Sequence, residues 1–419
     1  MRILFVLTLC MCCLGTAQAE RLLVPMDTTQ RDHLKSYGLA FWILENGGSI
    51  EWLLNYRGGT FLMDFKSSIA VEAQIRGVTT ARISETQAAQ IYAEIDASNM
   101  DVVRLEKSPK IAVYTPPNKQ PWDDAVTMAL EYAQIDYEKI WDQEVLEGAL
   151  DDYDWLHLHH EDFTGQYGKF YGSYGREAWY REQQTTYETM AQRLGYAKVS
   201  EQKKAVAIKI YEYMASGGFL FAMCSATDTF DIALAALDLD ICHQIFDGDG
   251  VDSHAQTKLN FERTLAFENF TLENNPLVYE FSDIDTTPTD MRQIRTAEAE
   301  YFSLFEFSAK YDPVPTMLTQ SHTNIVDGFL GQTTAFRKGL IKKSVVLLGQ
   351  EEGTDNVKYI HGRAGKGTFT FYAGHDPEDH KHHVGDPPTN LALHPNSPGY
   401  RLILNNVLFP AAKKKERKT

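Results

Sequence analysis

The stretch that decides the fold is residues 216–237, which read SGGFLFAMCSATDTFDIALAAL. Gly217 and Gly218 interrupt the chain before an unbroken apolar run over residues 219–223, and an Ala/Leu-rich segment follows Cys224. An apolar run of this length predicts a strand buried on both faces, as in a parallel sheet covered by helices. Cys224 then falls at a strand-to-helix turn on the carboxyl edge of the sheet, where open α/β folds place their sites.

Two interpretations of Cys224 remain open. The positive end of the following helix lowers the pKa of a nearby thiol and raises its thiolate fraction, which favours a reactive nucleophile. The alternative is a small buried core residue, because free Cys is among the most buried residue types. A disulfide to Cys242 would silence the thiol, but it requires the intervening helix to bring the two Cα atoms within bonding range.

The alternation of apolar and helical segments predicts an α/β protein. Strands are expected over residues 111–114, 137–141, 154–160, 219–223, 344–348 and 367–373, with helices over 176–194 and 201–214. This order predicts a three-layer, flavodoxin-like and mainly parallel sheet over residues 109–410, with an insertion at about 240–310. Residues 20–108 form an accessory α/β region, with strands expected at 39–44 and 50–54 and a helix capped by Ser84.

The first 19 residues have the pattern of a secretory signal peptide. Arg2 is followed by an apolar run over residues 3–15, and Ala17 and Ala19 form a small-x-small cleavage site before Glu20. The apolar run is short for a permanent bilayer span. We therefore expect a periplasmic or secreted protein with no transmembrane segment after cleavage.

Charge limits the class of partner. Acidic residues outnumber basic ones 57 to 40, which argues against a general nucleic-acid or anionic-membrane surface. The basic residues at 411–419 are typical of a solvated tail. A small molecule, glycan or peptide remains as the ligand, and the aromatic insertion at 240–310 is a candidate recognition surface.

Histidines gather after two of the predicted strands. His157, His159 and His160 lie on or just after one strand, and His375 follows another, with His380, His382 and His383 close behind. If the sheet is parallel, both strand ends and Cys224 meet at the same edge. Structural or solvated histidines are the competing interpretation, above all for the last three, which lie in a loop rich in charge.

Two chemistries are compatible with this edge. In the first, Cys224 is a nucleophile, His375 is its general base, and Glu378 or Asp376 orients the imidazole, with Ser225, Asp228 and Asp376 as supporting residues. In the second, His159, His160, Glu161 and His375 provide ligands for a metal, with zinc the best candidate. No other cofactor is indicated.

Four stretches carry a resemblance to a family of exported Bacteroidota proteins labelled "asparagine synthetase B". They are residues 52–59 (WLLNYRGG), 155–163 (WLHLHHEDF), 222–228 (AMCSATD) and 397–406 (SPGYRLILNN). Residues 111–166, the Cys224 turn and the His375 segment resemble the class I glutamine amidotransferase-like fold. That resemblance implies a Cys-His-Glu site formed by Cys224, His375 and Glu378.

The activity expected from the resemblance is hydrolysis of an amide or related acyl bond. The chain has no Ser-Gly-Gly-x-Asp-Ser segment and exposes Glu20, not Cys, after cleavage, so ATP-dependent asparagine synthesis is not expected. Because one fold serves many functions, a non-catalytic exported binding or scaffolding protein stays an alternative.

Overall fold

The computed structural model describes residues 20–286, 301–327, 331–379 and 384–412. The predicted signal peptide, His380, His382 and His383, residues 413–419 of the basic tail and part of the predicted insertion lie outside these ranges. Within them, no helix combines the length and the apolar character needed to cross a membrane.

The N-terminal region has a sheet of its own. Its strands are β1 (Glu20–Val24), β2 (Ile50–Leu54), β3 (Thr60–Asp64), β4 (Ala81–Ser84) and β5 (Asp101–Leu105), and its helices are α1 (His33–Glu45), α2 (Ser67–Arg76) and α3 (Glu85–Ala97). The spatial order is β4–β1–β3–β2–β5, and every pairing is antiparallel. The accessory α/β region therefore does not extend the second sheet.

The strand predicted over residues 39–44 is wrong, because this apolar run is the second half of α1. Asp32 caps the helix by accepting a hydrogen bond from the Lys35 N–H, and ten of its 13 residues are buried. A helix that is buried almost all round lacks the alternation of apolar and polar faces, so its sequence resembles a buried strand. The Ser84 cap of α3 is confirmed: its hydroxyl accepts a bond from the Gln87 N–H, and the Gln87 side chain accepts one from the Ser84 N–H.

In the described residues after this region, ten strands form a second, mixed sheet that is accompanied by helices. The strands are β6 (Ile111–Tyr114), β7 (Glu138–Ile140), β8 (Trp155–His159), β9 (Phe219–Met223), β10 (Tyr301–Leu304), β11 (Ile325–Asp327), β12 (Phe336–Arg337), β13 (Val346–Gln350), β14 (Asn356–Ala364) and β15 (Gly367–Tyr372). The helices are α4 (Ala125–Ala133), α5 (Asp142–Leu146), α6 (Tyr171–Tyr174), α7 (Ala178–Arg193), α8 (Val199–Ser216), α9 (Ser225–Ala235), α10 (Gln244–Asp247), α11 (Ala255–Lys258), α12 (Pro313–Leu318) and α13 (Pro398–Leu408).

One half of this sheet is parallel and the other half is antiparallel. The order β7–β6–β8–β9–β15 is parallel throughout, while β14, β13, β10 and β11 continue from β15 with antiparallel pairings, and β12 pairs with β14. The α/β class and a partly parallel sheet are thus confirmed. Of the two strands expected near the C-terminus, β15 pairs parallel with β9, whereas β13 is separated from it by β14 and belongs to the antiparallel half.

Strand β9 is buried along its whole length, as its apolar run predicts. Phe219, Phe221 and Met223 belong to one hydrophobic core, which includes side chains of α1, α4 and α13. Leu220 and Ala222 point the other way, into a core formed with α8 and α9. Because side chains alternate along a strand, burial of both sets requires cover on both faces.

Part of the described insertion, residues 240–286, packs against the sheet. Phe267, Phe270 and Phe281 are at most 2% exposed and belong to the core on the α9 side. Asp231 of α9 anchors the segment by accepting bonds from three consecutive backbone N–H groups at residues 265–267. These three buried rings count against the prediction of a recognition surface in this segment, which stays a prediction for the residues that are not buried.

Candidate metal centre

Five histidine and aspartate side chains meet at the carboxyl edge of the parallel strands. Asp123 and Asp124 end the loop between β6 and α4, His157 and His159 belong to β8, and His375 lies three residues after β15. Because these strands are parallel, their ends share one edge of the sheet.

The side chains form a continuous polar chain. Asp123 Oδ1 is 3.0 Å from His375 Nε2, and His375 Nδ1 is 2.9 Å from His159 Nε2. The second nitrogen of the His159 ring, Nδ1, is 3.2 Å from Asp124 Oδ2. His157 Nε2 is 3.3 Å from the same Asp124 oxygen. Asp124 Oδ2 therefore lies between two imidazoles.

The local structure explains this arrangement. His157 and His159 are two residues apart in β8, so their side chains point to the same face of the sheet. Asp124 is the N-cap of α4, and its Oδ1 accepts bonds from the N–H groups of Val126 and Thr127. The helix start thus uses one carboxylate oxygen and leaves the other facing the histidines.

The electrostatics favour a neutral imidazole beside a carboxylate. Burial lowers the pKa of His159 to about 4, although Asp124 opposes the shift. Burial alone would raise the pKa of Asp124, but the His159 and His157 imidazoles bring it well below its ordinary value. These are the protonation states in which such side chains bind metal ions.

Two buried ring nitrogens here lack an aligned hydrogen bond. His157 Nε2 and His159 Nδ1 lie within ion-pair distance of Asp124 Oδ2, but neither has a hydrogen-bond partner in a bonding direction. Buried polar atoms normally have a partner, so each exception needs an explanation. The three ligand atoms of Asp124, His157 and His159 lie within 4.8 Å of one another and could hold a metal ion.

A second group overlaps the residues predicted from the sequence. His159, His160 and His375 also offer ligand atoms within 4.8 Å of one another. In this group, however, His159 Nε2 and His375 Nδ1 are already joined by a hydrogen bond of 2.9 Å. His160 has a left-handed backbone (φ 54°), and its ring stacks on that of His159 with centroids 3.9 Å apart.

Glu161, the fourth predicted ligand, is held by a different partner. Its Oε2 is 3.3 Å from Lys203 Nζ, and the same ammonium lies 3.1 Å from Asp142 Oδ1 and 2.9 Å from the Tyr114 hydroxyl. Lys203 and Asp142 are both fully buried. Burial raises the pKa of Glu161 to about 7, with Lys203 opposing the shift. Its carboxylate thus belongs to a buried ion cluster with Lys203.

A cleft of about 840 Å³ opens beside the histidines. Asp123, Asp124, His159, His160 and Glu161 all line it. The cleft continues along the β6–α4 loop, where Trp122 forms part of the wall, and reaches α7. The polar chain at the sheet edge is therefore accessible to a small molecule, although His157 and His159 are themselves buried.

Cys224 lies at the predicted strand-to-helix turn, between β9 and α9, with φ 53° and ψ −143°. Its thiol is fully buried and donates a hydrogen bond of 3.0 Å to the Gln332 carbonyl. Burial raises the pKa of this thiol well above its ordinary value. Cys242 is also a free buried thiol, so the Cys224–Cys242 disulfide does not form.

The residues expected to assist Cys224 have other partners. The ring nitrogens of His375 bond to Asp123 and His159, while Glu378 forms an ion pair of 3.1 Å with His394 Nδ1. Asp123 therefore occupies the orienting position for which Glu378 was the candidate. The extra residue between His375 and Glu378 separates the two in the turn, where Asp376 Oδ1 accepts from the Glu378 N–H.

Ser225 and Asp228 lie beside Cys224 in the first turn of α9 and are both buried. Asp228 Oδ1 accepts a bond of 3.0 Å from the Thr333 hydroxyl, and burial together with the charge of Asp285 raises its pKa well above the ordinary value. Asp376 is likewise buried, which raises its pKa. None of the three residues supplies a positive charge that would stabilise a thiolate at Cys224.

Sequence reasoning missed Asp123, Asp124 and His157 as functional residues. The two-residue spacing of His157 and His159 signals a shared face, and acidic residues that start a helix after a neighbouring parallel strand signal the same edge. Those two signals together indicate the Asp124–His157–His159 group.

No protein-family model and no curated protein matches the chain. Solved structures give only weak likenesses. The cytoplasmic protein STM3548 from Salmonella typhimurium is 11% identical with a TM-score of 0.33, over 73% of this chain and 100% of that one. The cytoplasmic protein STM1381 from Salmonella typhimurium LT2 is 12% identical with a TM-score of 0.34, over 72% of this chain and 99% of that one. Gan42B, a GH42 beta-galactosidase, is 8% identical with a TM-score of 0.24, over 65% of this chain and 28% of that one. Scores this low carry no argument about function.

Proposed function

We propose that this protein is a metal-dependent hydrolase in which Asp124, His157 and His159 hold a zinc ion beside the cleft. The observation that carries the proposal is the placement of three ligand atoms, with Asp124 Oδ2 3.3 Å from His157 Nε2 and 3.2 Å from His159 Nδ1. Neighbouring ligands on a tetrahedral zinc with bonds of about 2.0–2.1 Å stand about 3.3–3.4 Å apart.

The chemistry of the donor set supports zinc. Imidazole suits this ion, and catalytic zinc sites include sets of two imidazoles and one carboxylate that leave a position for substrate. The outer nitrogens are also held: His157 Nδ1 donates to the Phe221 carbonyl at 3.3 Å, and His159 Nε2 bonds to His375. Ligating histidines characteristically use their second nitrogen in this way.

When bound, such an ion supplies Lewis acidity that polarises a substrate oxygen and acidifies water. The protein's own residues position the ligating His159 ring and cover the histidines from solvent. Asp123 and His375 fix the tautomer and orientation of the His159 ring through consecutive bonds of 3.0 and 2.9 Å. The ring of Trp122, 5.3 Å from that of His160 between centroids, covers the histidines on the cleft side.

Metal content tests the proposal directly. Protein purified without an affinity tag should contain about one zinc ion per chain by elemental analysis, and His157→Gln, His159→Gln and Asp124→Asn should each lose it. Cobalt substitution should give the absorption spectrum of a tetrahedral site. His361→Gln is the matched control, because His361 is a buried histidine of β14 that bonds to Thr370 instead. A zinc content near zero, or one that these three variants leave unchanged, would contradict the proposal.

A Cys224–His375 hydrolase acting on amide or related acyl bonds has less support. The left-handed backbone at Cys224 is the feature in its favour, because nucleophiles are often held on strained strand-to-helix turns. Burial of the thiol disfavours its charged form and opposes ionisation. The same turn, with the parallel strand order around it, supports our proposal that this sheet has the three-layer, flavodoxin-like arrangement of class I glutamine amidotransferases.

Export to the periplasm or beyond is a further proposal, motivated by the pattern of residues 1–19. Mass spectrometry of the mature N-terminus tests it. A chain that starts at Glu20 in the periplasmic fraction would support export, and an intact Met1 in the cytosolic fraction would overturn it.

A further inference from the structure

The acidic side chains of the cleft all have partners within the protein. Asp123 bonds to His375, Asp124 lies between two imidazoles, and Glu161 faces Lys203. Glu144, the remaining carboxylate of the cleft, accepts a bond from the Trp141 N–H. Each of the four carboxylates of the cleft is thus held by a contact inside the protein.

The cationic side chains of the cleft are in the opposite situation. Lys119, Lys139 and Arg193 all line it. Among the described residues, none of the three takes part in an ion pair, whereas Lys198, Lys203 and Lys209 elsewhere in the chain do. Three cations without acidic partners therefore converge on one concave surface.

This concentration of positive charge is unexpected in so acidic a protein. The formal net charge is −17, so the surface as a whole repels anions. A cleft that binds an anion must overcome this repulsion locally, and unpaired cations on concave, low-dielectric walls do so by focusing the field.

The cleft also offers a flat apolar wall. Trp122 is partly buried, and its ring is supported by Phe170 at 5.2 Å and by Trp179 at 5.5 Å between centroids. Trp141 and Tyr187 line the cleft further along. Pockets for small molecules combine such apolar walls with a few charged groups that fix orientation.

We propose that the cleft binds an organic oxyanion, a carboxylate or phosphate group carried on an apolar body, with the charge on Lys119, Lys139 and Arg193 and the apolar part on Trp122. This inference deepens the proposed hydrolase, since it names the substrate class of the same cleft. The charged group and the apolar body are both needed, because exposed cations alone bind simple anions weakly.

Calorimetric titration of the full chain, kept metal-free with a chelator, tests the inference. The probes are phenyl phosphate, benzoate and phenol, which share a ring and differ in charge. We expect at least one of the two anions to bind about tenfold or more tightly than phenol, and the tighter of them identifies the group as phosphate or carboxylate. Lys119→Gln, Lys139→Gln and Arg193→Gln should each weaken that binding about two- to fivefold, and the triple variant should abolish the preference over phenol.

Lys209→Gln is the control, because Lys209 is an exposed lysine of α8 paired with Glu212, and it should leave binding unchanged. Equal binding of phenol and the anions, binding unaffected in the triple variant, or no binding of any probe would each overturn the inference. The titration is done without metal, so its outcome does not depend on how much zinc the protein contains. A purified protein without zinc would refute the metal proposal and leave the anion-binding inference standing.

Discussion

Replacing Lys203 by Met is the most direct test of the buried charges behind the cleft. Lys203 is fully buried, and its ammonium lies 3.1 Å from Asp142 and 3.3 Å from Glu161. Met preserves most of the side-chain volume but leaves both carboxylates without a cation. Breaking a buried ion pair from one side costs about 3–5 kcal/mol, because the remaining charge is desolvated and unpaired. We expect a loss of this size in the free energy of unfolding at pH 8.

The loss should shrink at lower pH. In the folded protein the pKa of Glu161 is about 7, above its ordinary value of 4.5, so the folded state holds a proton that the unfolded chain has released between these values. Stability therefore falls as pH rises through that window. Without Lys203, which opposes the upward shift, the pKa of Glu161 rises further. The Lys203→Met penalty should thus be smaller at pH 5 than at pH 8.

Urea denaturation followed by circular dichroism at both pH values measures these differences. Lys209→Met is the control, since it makes the same chemical change at an exposed position of the same helix and should alter the midpoint little. If Lys203→Met unfolds at the same urea concentration as this control at pH 8, or if its penalty is independent of pH, the account of a buried, charge-compensated cluster is refuted.

Three further predictions concern packing, anchoring and thiol chemistry. Gly38→Ala should destabilise the protein by about 1–3 kcal/mol in the same urea assay, because the added Cβ would lie 1.8 Å from the Ala133 carbonyl oxygen of α4. Since Ala favours helices more than Gly does, a stabilised variant would contradict this contact. Asp231→Asn should lower the free energy of unfolding by about 2–3 kcal/mol, because an amide cannot accept all three N–H bonds from residues 265–267. Proteolysis of that segment at an unchanged rate would count against the anchor. Iodoacetamide should label neither Cys224 nor Cys242 in the native protein at pH 7–8, because both thiols are buried and burial raises their pKa values. Mass spectrometry should give the same result for His375→Ala. Rapid labelling of the native protein that depends on His375 would favour the thiol mechanism.

Patterns within single segments predicted much of the parallel half of the fold. The run at residues 219–223 is strand β9, and the segments expected at 111–114 and 154–160 contain β6 and β8. β6 and β9 were predictable because a strand buried on both faces leaves a continuous apolar signal, whereas β8 alternates leucine with histidine. Strand β14 was not predicted although its pairings with β13 and β15 are local hairpins, because Lys358, His361 and Arg363 interrupt its apolar pattern.

The histidines of the site were predictable, but their partners were not. Clustering in the sequence singled out His159, His160 and His375, which do come together. Asp124 was hidden by a second role, since an Asp before a helix is fully explained as an N-cap. The Glu161 carboxylate faces Lys203 of α8 and not the histidines, and the sequence gives no indication of that contact.

Cys224 and the Asp124–His157–His159 group share one edge of the sheet, yet their surroundings suit opposite tasks. A thiol nucleophile needs its charged form and access, but Cys224 is buried, donates its hydrogen to Gln332, and has the carboxyl groups of Asp228 and Asp285 among its neighbours. A metal centre needs an available carboxylate oxygen, imidazole nitrogens without other bonds, and a path for substrate. Asp124 Oδ2 lies between two such nitrogens, and Asp124 and His159 line the cleft. The contacts therefore favour chemistry that begins at the histidines of β8, with the Cys224 turn serving to connect β9 to α9.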